Sequence, residues 1–341
     1  MNEWSHLKNW FQLPDKTKIR LFADTSRRMG LPSTSVIEKD WWIVHTLGVV
    51  YSLECSSSMI FKGGTSLSKG WQLINRFSED IDLALNREFF GFTDELNKSD
   101  IRKLRKMSFE FISEVLSVQL NQKFAELGFE NVSVKPEKVG NHNQDPLIIE
   151  VFYKKLTEID PYLKPGVLLE IGSRSMNEPI TKRTFRTYIS ELFGMHNFAD
   201  EAITIPTVNP ERTFLEKIFL LHEEFQKPYD KIRVKRLSRH LYDIERLSRT
   251  EFAKSALNDI ELYSKIVKHR EKFTPISGID YTGHIPEKII FIPPKEVMRK
   301  WEIDYNEMYE SMIYGEKYSF SEMIERLLNL QSQINDIKID N

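Results

Sequence analysis

Two aspartates that are separated by one residue, Asp80 and Asp82, are the side chains of this sequence best suited to chemistry. The run from Ile81 to Leu85 alternates with a period of two and predicts a strand, so both carboxylates point to one face, about 6–7 Å apart along the chain. Oxygen ligands at that spacing can hold one Mg²⁺ (or Mn²⁺) ion or two adjacent ions. The pair therefore predicts a metal site that acts on phosphates, with a solvated strand face as the plainer alternative.

A turn made of Gly63, Gly64, Thr65 and Ser66 follows a predicted strand, Ser58 to Phe61, and opens a predicted helix. Backbone N–H groups and the positive helix end favour an anion there, and glycine lets a phosphate approach closely. The two aspartates follow Gly64 by sixteen and eighteen residues, enough chain to bring their strand back beside the first. The turn is therefore predicted to bind the triphosphate of an NTP, unless it is merely structural.

A third acid, Glu170, lies in the otherwise apolar run from Val167 to Ile171. Burying an unpaired carboxylate is costly, so an acid in such a strand suggests a partner. Glu170 is predicted to complete the metal-binding carboxylates on a neighbouring strand. An ordinary glutamate on an edge strand remains the alternative.

Lys217 lies beside the apolar stripe of a predicted helix, formed by Phe214, Ile218, Leu221 and Phe225. On a helical wheel its position is about 60° from the centre of that stripe. Its apolar stem can follow the core while the ammonium group reaches a phosphate. A surface lysine would show the same pattern.

The next predicted helix carries Asp243 on the same flank as Arg236, Arg239 and His240. An Arg239–Asp243 pair, four residues apart, would stabilise a surface helix by only a few tenths of a kcal/mol. The flank is nevertheless part of an unusually basic stretch of the chain.

That stretch supplies a local positive patch in a chain whose net charge is only −2. The basic window, as we call it, consists of Lys231, Arg233, Lys235 and Arg236. Such a cluster could hold RNA phosphates or those of the nucleotide. A solvated run of charge is the alternative.

The remaining composition excludes several classes of protein. A single cysteine, Cys55, allows no internal disulfide and no multi-thiolate zinc site, and it fits a reducing, cytoplasmic compartment. No secretory leader is recognisable at the N-terminus, and the most apolar window, Trp41 to Leu53, is shorter than the roughly 20 residues that span a bilayer. We therefore expect no membrane segment.

The length of 341 residues suits two lobes, predicted as 1–206 and 207–341. The predicted fold is α+β, a mixed sheet with flanking helices followed by a mainly helical C-terminal lobe. Further strands are predicted at Asn131–Val134, Leu147–Tyr153 and Val167–Ile171. The N-terminal part is predicted to be helical up to about Tyr51, with a capping box of Ser35 and Glu38. Further helices are predicted from Thr65 through Trp71 and Ile74, at Asp100–Leu127, from Asn209-Pro210 onward, at Lys295–Met312 and at Ser319–Asn335.

Two segments resemble the first motif of the AbiEii/AbiGii nucleotidyltransferase toxins, within the polymerase-β-like nucleotidyltransferase superfamily. They are Phe61–Leu67, with its paired glycines, and Arg76–Leu83, with its Asp-x-Asp. The stretches Ile37–Trp41 and Met312–Gly315 are also similar to that family. Lys217 and Asp243 match the lysine and the aspartate of its later motifs, whereas Arg239-His240 stands where members often carry Lys-Asp.

The resemblance implies transfer of a nucleoside monophosphate from an NTP to an acceptor, with release of pyrophosphate. It implies that Asp80, Asp82 and Glu170 hold metal and that Glu170 also activates the acceptor hydroxyl. Lys217 would neutralise the negative charge that develops during the reaction, and Asp243 would position Lys217 or the acceptor. It also implies tRNA as the leading acceptor, and a cognate antitoxin.

Two other functions are compatible with the same residues. One is a nucleotide-binding interaction protein with little catalysis, although three clustered carboxylates would repel one another without a metal. The other is a small-molecule or protein kinase, which would need similar metals. The group transferred from labelled NTP distinguishes these possibilities.

Overall fold

A computed structural model describes residues 4–338 except 94, 138–143, 159, 161, 175 and 177–178. The chain forms two compact units. Unit 1 comprises Met1–Gly70 and Phe77–Val208, and unit 2 comprises Trp71–Arg76 and Asn209–Asn341. The short segment Trp71–Arg76 is thus separated in the sequence from the rest of its unit.

Unit 1 is built on a mixed seven-stranded sheet with the strand order β3-β4-β5-β2-β1-β7-β6. The strands are β1 (Met59–Lys62), β2 (Asp80–Leu85), β3 (Ser133–Pro136), β4 (Leu147–Phe152), β5 (Val167–Gly172), β6 (Ile180–Phe185) and β7 (Ile203–Val208). The pairs β2/β5 and β1/β7 are parallel, and the other neighbours are antiparallel. The predicted mixed sheet with flanking helices is confirmed; β6 and β7 were not predicted.

The helices of unit 1 are α1 (Ser5–Gln12), α2 (Asp15–Met29), α3 (Thr34–Tyr51), α4 (Gly63–Thr65), α5 (Lys98–Glu110), α6 (Ser117–Glu126) and α7 (Tyr188–Phe193). A π-helical turn, Ser66–Gly70, continues α4, and another, Phe111–Leu116, joins α5 to α6. Helix α3 is buried from Ser35 to Val50, which explains its lack of a polar face.

Two local predictions for unit 1 are wrong. The capping box of Ser35 and Glu38 does not exist, because α3 begins at Thr34 and Ser35 already lies inside it. The helix expected to run from Thr65 through Trp71 and Ile74 ends at Gly70, where the chain passes into unit 2.

Unit 2 is mainly helical. Its helices are α8 (Pro210–Phe225), α9 (Ser238–Ser248), α10 (Glu251–Asn258), α11 (Ile260–Phe273), α12 (Lys295–Ser311) and α13 (Phe320–Asn335). Helix α8 opens with proline at its first position, as the sequence predicted, because proline has no N–H group that the first helical turn would leave unpaired. Helix α9 packs against α8, α12 and α13, which buries its apolar face.

The segment Trp71–Arg76 pairs with the chain between α12 and α13. Arg76 forms an antiparallel bridge with Ile313, and the backbone N–H of Tyr314 donates to the carbonyl of Asn75 at 2.9 Å. Gly315 follows with a φ of +73°. The stretch Met312–Gly315, which resembles the family in sequence, therefore anchors this segment. None of the helices in the described ranges is long and apolar enough to cross a membrane.

Candidate active site

Asp80, Asp82 and Glu170 share one face of the sheet in unit 1. Strands β2 and β5 are parallel, with Asp82 paired to Glu170 and Asp80 paired to Leu168. Paired residues project to the same face, as do alternate residues of one strand. Asp82 and Glu170 are thus neighbours across strands that lie about 4.8 Å apart, as the sequence predicted for a third acid on an adjacent strand.

Gly63 lies directly against the carboxylate of Asp82. A Cβ atom at position 63 would be 1.8 Å from Asp82 Oδ2, and the φ of +79° is one that side chains rarely adopt. Both constraints require glycine. The glycine turn and the second aspartate are therefore in contact, as their spacing in the sequence suggested.

The hydroxyl groups of Thr65 and Ser66 hold this turn in place. Thr65 Oγ1 donates to the carbonyl of Asp80, and Ser66 Oγ donates to the carbonyl of Gly63 at 2.8 Å. Both residues are fully buried. In the structure these hydroxyls connect the turn to β2 and to itself.

The loop before β5 contributes a cation that sequence reasoning missed. Lys164 Nζ lies 3.2 Å from Asp80 Oδ1. The lysine side chain is 35% exposed, whereas the Asp80 side chain is 9% exposed. Asp80 is therefore paired with a lysine from a loop 84 residues further along the chain.

Buried charges hold the backbone of that loop. Lys39 Nζ donates to the carbonyl of Lys164 at 2.8 Å and to that of Gly166, and it is ion-paired with Glu79 at 3.4 Å. Glu79 Oε2 accepts the backbone N–H of Lys164 at 2.8 Å. The backbone N–H of Lys164 is thus held by Glu79, the residue beside Asp80, and its carbonyl is held by Lys39 of helix α3.

Three consecutive charged residues of helix α3, Glu38, Lys39 and Asp40, bind backbone groups of neighbouring segments. Glu38 accepts the N–H groups of Leu156 and Thr157 at 2.7 and 3.0 Å. Asp40 accepts the N–H of Tyr188 at 2.7 Å and pairs with Lys69 at 2.9 Å. Burial raises the pKa of Asp40 to about 6, even though Lys69 opposes the shift.

Together with those of Lys39, these contacts give the stretch Ile37–Trp41, which resembles the family in sequence, a structural role. Three neighbouring charges on one buried helix thus bind two loops of the sheet unit and the first residue of α7. These partners offset the desolvation of the buried charges.

In unit 2, Asp243 is the centre of a buried charge cluster. Its carboxylate accepts two hydrogen bonds from Arg76, both at 2.7 Å, and lies 2.9 Å from Lys217 Nζ. Burial alone would raise the pKa of Asp243, but Arg76 and Lys217 hold it far below its usual value. Asp243 is therefore an ionised carboxylate that fixes two cations.

His240 completes the surroundings of Lys217. Its Nδ1 lies 3.4 Å from Lys217 Nζ. Burial, then Lys217 and Arg239, lower the pKa of His240 well below its ordinary value, so the ring is neutral and can accept from the ammonium group. The expectation that Asp243 lies on a flank with Arg236, Arg239 and His240 is wrong in one respect: Asp243 is fully buried and pairs with Arg76.

The basic window precedes α9, which begins at Ser238, so Arg236 lies outside the helix on which it was expected. Arg233 donates to Glu224 from its side chain at 2.7 and 2.9 Å, and Arg236 has a φ of +63° with its N–H bonded to Asp304. Lys231 and Lys235 are exposed. Two of the four basic residues thus have structural contacts, and the two lysines face solvent.

The carboxylates fit a divalent ion in their chemistry. Asp80, Asp82 and Glu170 provide hard oxygen ligands on one face, and neighbouring Asp82 and Glu170 repel each other unless a cation lies near them. Within the described ranges, no three His, Cys, Asp or Glu side chains converge as they stand on a point where an ion would bind. Binding of an ion by all three would therefore require rotation of their side chains.

The family model for the nucleotidyl transferase AbiEii toxin of type IV toxin–antitoxin systems matches residues 53–326. The chain belongs to this family. It is thus a nucleotidyltransferase of the AbiEii toxin class, which implies an NTP substrate and a cognate antitoxin. No curated protein matches the chain.

Two solved structures are similar to the chain to different degrees. The chain is similar to MenT4, a nucleotidyltransferase toxin from Mycobacterium tuberculosis H37Rv, with 15% identity, a TM-score of 0.54, and coverage of 94% of this chain and 91% of that one. JHP933 from Helicobacter pylori shows 13% identity, a TM-score of 0.35, and coverage of 88% of this chain and 98% of that one. At such identity, the MenT4 likeness supports the nucleotidyltransferase fold only.

Proposed function

We propose that this AbiEii-family protein transfers a nucleoside monophosphate from an NTP to RNA, with tRNA as the acceptor, and that it acts in the cytoplasm as a toxin countered by an antitoxin. The proposal rests on the pairing of Asp82 with Glu170 on neighbouring strands, together with the contact between Asp82 and Gly63. Two neighbouring carboxylates against a glycine turn suit a nucleotide and its metal ion.

Asp80, Asp82 and Glu170 would hold Mg²⁺ or Mn²⁺, which polarises phosphate oxygens and lowers the pKa of a bound hydroxyl. The backbone around Gly63 and Gly64, fixed by the hydroxyls of Thr65 and Ser66, would bind the triphosphate. Glu170 would accept the proton of the acceptor hydroxyl while the oxygen of that hydroxyl attacks the α-phosphorus of the NTP. The bond to the β-phosphate breaks, and pyrophosphate leaves.

Lys217 and Asp243 would act as a pair. Asp243 is held by Arg76 and in turn orients Lys217, so the ammonium group is fixed before the nucleotide arrives. A preorganised cation stabilises charge that develops on the departing pyrophosphate without a cost of reorganisation at that moment. Asp243 is in this view a positioning residue.

The basic window would contribute to binding RNA. Lys231 and Lys235 are exposed and can pair with phosphates without loss of structure. Arg233 and Arg236 would contribute charge while their structural contacts persist.

The test is incubation of the protein with each α-³²P-labelled NTP, Mg²⁺ or Mn²⁺ and total RNA. We expect label in RNA of tRNA size with one or more of the nucleotides, and none with Asp82→Asn. Parallel reactions with γ-³²P-labelled NTP identify a kinase, in which the γ-phosphate and not the nucleotide is transferred. Absence of transfer from both labels, with nucleotide binding intact, would identify an interaction protein.

A further inference from the structure

We propose that Lys164 is an exchangeable cation of the active site: it pairs with Asp80 until a metal ion displaces it, and it then contacts the triphosphate. The inference rests on the proposed metal and nucleotide site. The ammonium group of Lys164 is 3.2 Å from Asp80 Oδ1, so an ion bound to that oxygen would displace it.

Lys164 differs from the other lysine of the same network in how its charge is held. Lys39 is 2% exposed and is bound by two backbone carbonyls and by Glu79, so its ammonium group is fixed. The side chain of Lys164 is 35% exposed and contacts Asp80 from the solvent side. A flexible four-carbon stem with an accessible end can change partners at little cost.

The backbone of Lys164, by contrast, is held firmly. Its N–H is accepted by Glu79 and its carbonyl accepts from Lys39. Gly166 packs so closely that a Cβ there would lie 2.8 Å from the carbonyl of Val151. Two buried charges thus position the base of one partly exposed lysine, while an ordinary exposed ion pair contributes little to stability. The arrangement is explained if the location of this ammonium group matters for function.

Electrostatics give the exchange its direction. Before a metal ion binds, Lys164 offsets repulsion among Asp80, Asp82 and Glu170 on one sheet face. A divalent ion at Asp80 would repel the ammonium group, and the triphosphate that arrives with it offers new negative charge nearby. Lys164 should therefore weaken binding of metal alone and strengthen binding of nucleotide, a pair of opposite effects that a purely structural lysine would not produce.

The experiment measures both affinities in the full chain. Mn²⁺ binding without nucleotide is followed by electron paramagnetic resonance, and binding of a non-hydrolysable NTP analogue with Mg²⁺ by calorimetry. For Lys164→Gln we expect Mn²⁺ to bind about three- to tenfold tighter and the analogue to bind about tenfold weaker. Lys135→Gln, which removes the same charge from an exposed position of β3, should change neither constant. Equal melting temperatures would exclude a folding defect.

Each other outcome has a definite meaning. Unchanged constants in Lys164→Gln, or weaker Mn²⁺ binding, would overturn the exchange. Asp82→Asn separates this failure from that of the proposed function. If Asp82→Asn abolishes Mn²⁺ binding while Lys164→Gln has no effect, only the exchange is wrong. If Mn²⁺ binding is unaffected by Asp82→Asn, the metal site itself is wrong.

Discussion

Gly63 and Asp82 are packed so closely that a methyl group on residue 63 would lie 1.8 Å from the Asp82 carboxylate. Gly63→Ala should therefore displace that carboxylate without removing its charge. We expect nucleotide transfer to fall about 100-fold or more, since small displacements of positioned groups have large effects on rate. The measurement is the initial rate of label transfer from α-³²P NTP.

Gly91→Ala is a matched control for this substitution. Gly91 also belongs to unit 1 and has a φ of +77°, but a Cβ there would meet nothing within 4 Å. Backbone strain alone should cost about 1 kcal/mol of stability and leave the rate nearly unchanged. Equal activity losses in the two variants would show that strain, and not displacement of Asp82, is responsible.

Asp243→Asn should destabilise unit 2 strongly. The substitution leaves Arg76 and Lys217 without their shared carboxylate in a buried position, which typically costs about 3–5 kcal/mol. Glu316→Gln, which weakens an exposed pairing with Arg246 and Arg249, should cost less than about 1 kcal/mol. Urea unfolding of the two variants tests the difference, and similar midpoints would contradict the importance of the buried cluster.

Lys217→Met should separate charge from packing. Asp243 keeps its two hydrogen bonds to Arg76, so the loss of stability should be smaller than in Asp243→Asn. Turnover should nevertheless fall by about two orders of magnitude if the ammonium group stabilises the leaving pyrophosphate. Lys217→Arg should restore it only in part, because a planar guanidinium differs from a point charge. Turnover within a few-fold of the parent would assign Lys217 a structural role.

RNA binding is best tested at the two exposed lysines of the basic window. Neutralising Lys231 and Lys235 together as glutamine should weaken tRNA binding and flatten its salt dependence by roughly one unit of log–log slope per contact. Affinity for NTP should hardly change. The doubly substituted control Lys265→Gln, Lys268→Gln removes the same charge from exposed positions of α11. If both variants bind tRNA equally, the window is a solvated surface.

A buried histidine gives unit 2 a predictable dependence on pH. Burial, and then His284, lower the pKa of His222 from its ordinary value of 6.5 to about 4. Between these two pKa values the unfolded chain binds more protons than the folded protein. The contribution of neutral His222 to stability is therefore fully present above pH 6.5, and the free energy of unfolding falls by up to about 3 kcal/mol as the pH decreases toward 4. In His222→Asn the slope of unfolding free energy against pH should be flatter over this range; an unchanged slope would contradict the assignment.

The sequence was most informative where function and local structure use the same residues. Gly63, Asp82 and Glu170 could be brought together in advance because strand periodicity and the glycine turn are short-range signals. The three neighbouring strands β1, β2 and β5 have the predicted type, and each of their boundaries lies within one residue of the predicted one.

Contacts over long sequence separations could not be predicted in this way. Lys164 lies in a loop without periodicity, and Asp80 is 84 residues away. Asp243 pairs with Arg76 across 167 residues, a partner that the sequence of its own helix could not indicate. Strand β6 is mostly exposed and carries charged residues, and β7 contains Pro206, so neither has the apolar pattern of a buried strand.

The segment Trp71–Arg76 has a consequence for how the protein is made. The chain leaves unit 1 after Gly70, returns to it at Phe77 and leaves again after Val208. During translation Arg76 emerges from the ribosome well before its partner Asp243, so the cluster that stabilises unit 2 can form only late in synthesis. A truncation after Val208 would keep all of unit 1 together with the segment Trp71–Arg76, whereas a fragment that starts at Asn209 would contain Asp243 and Lys217 without their arginine.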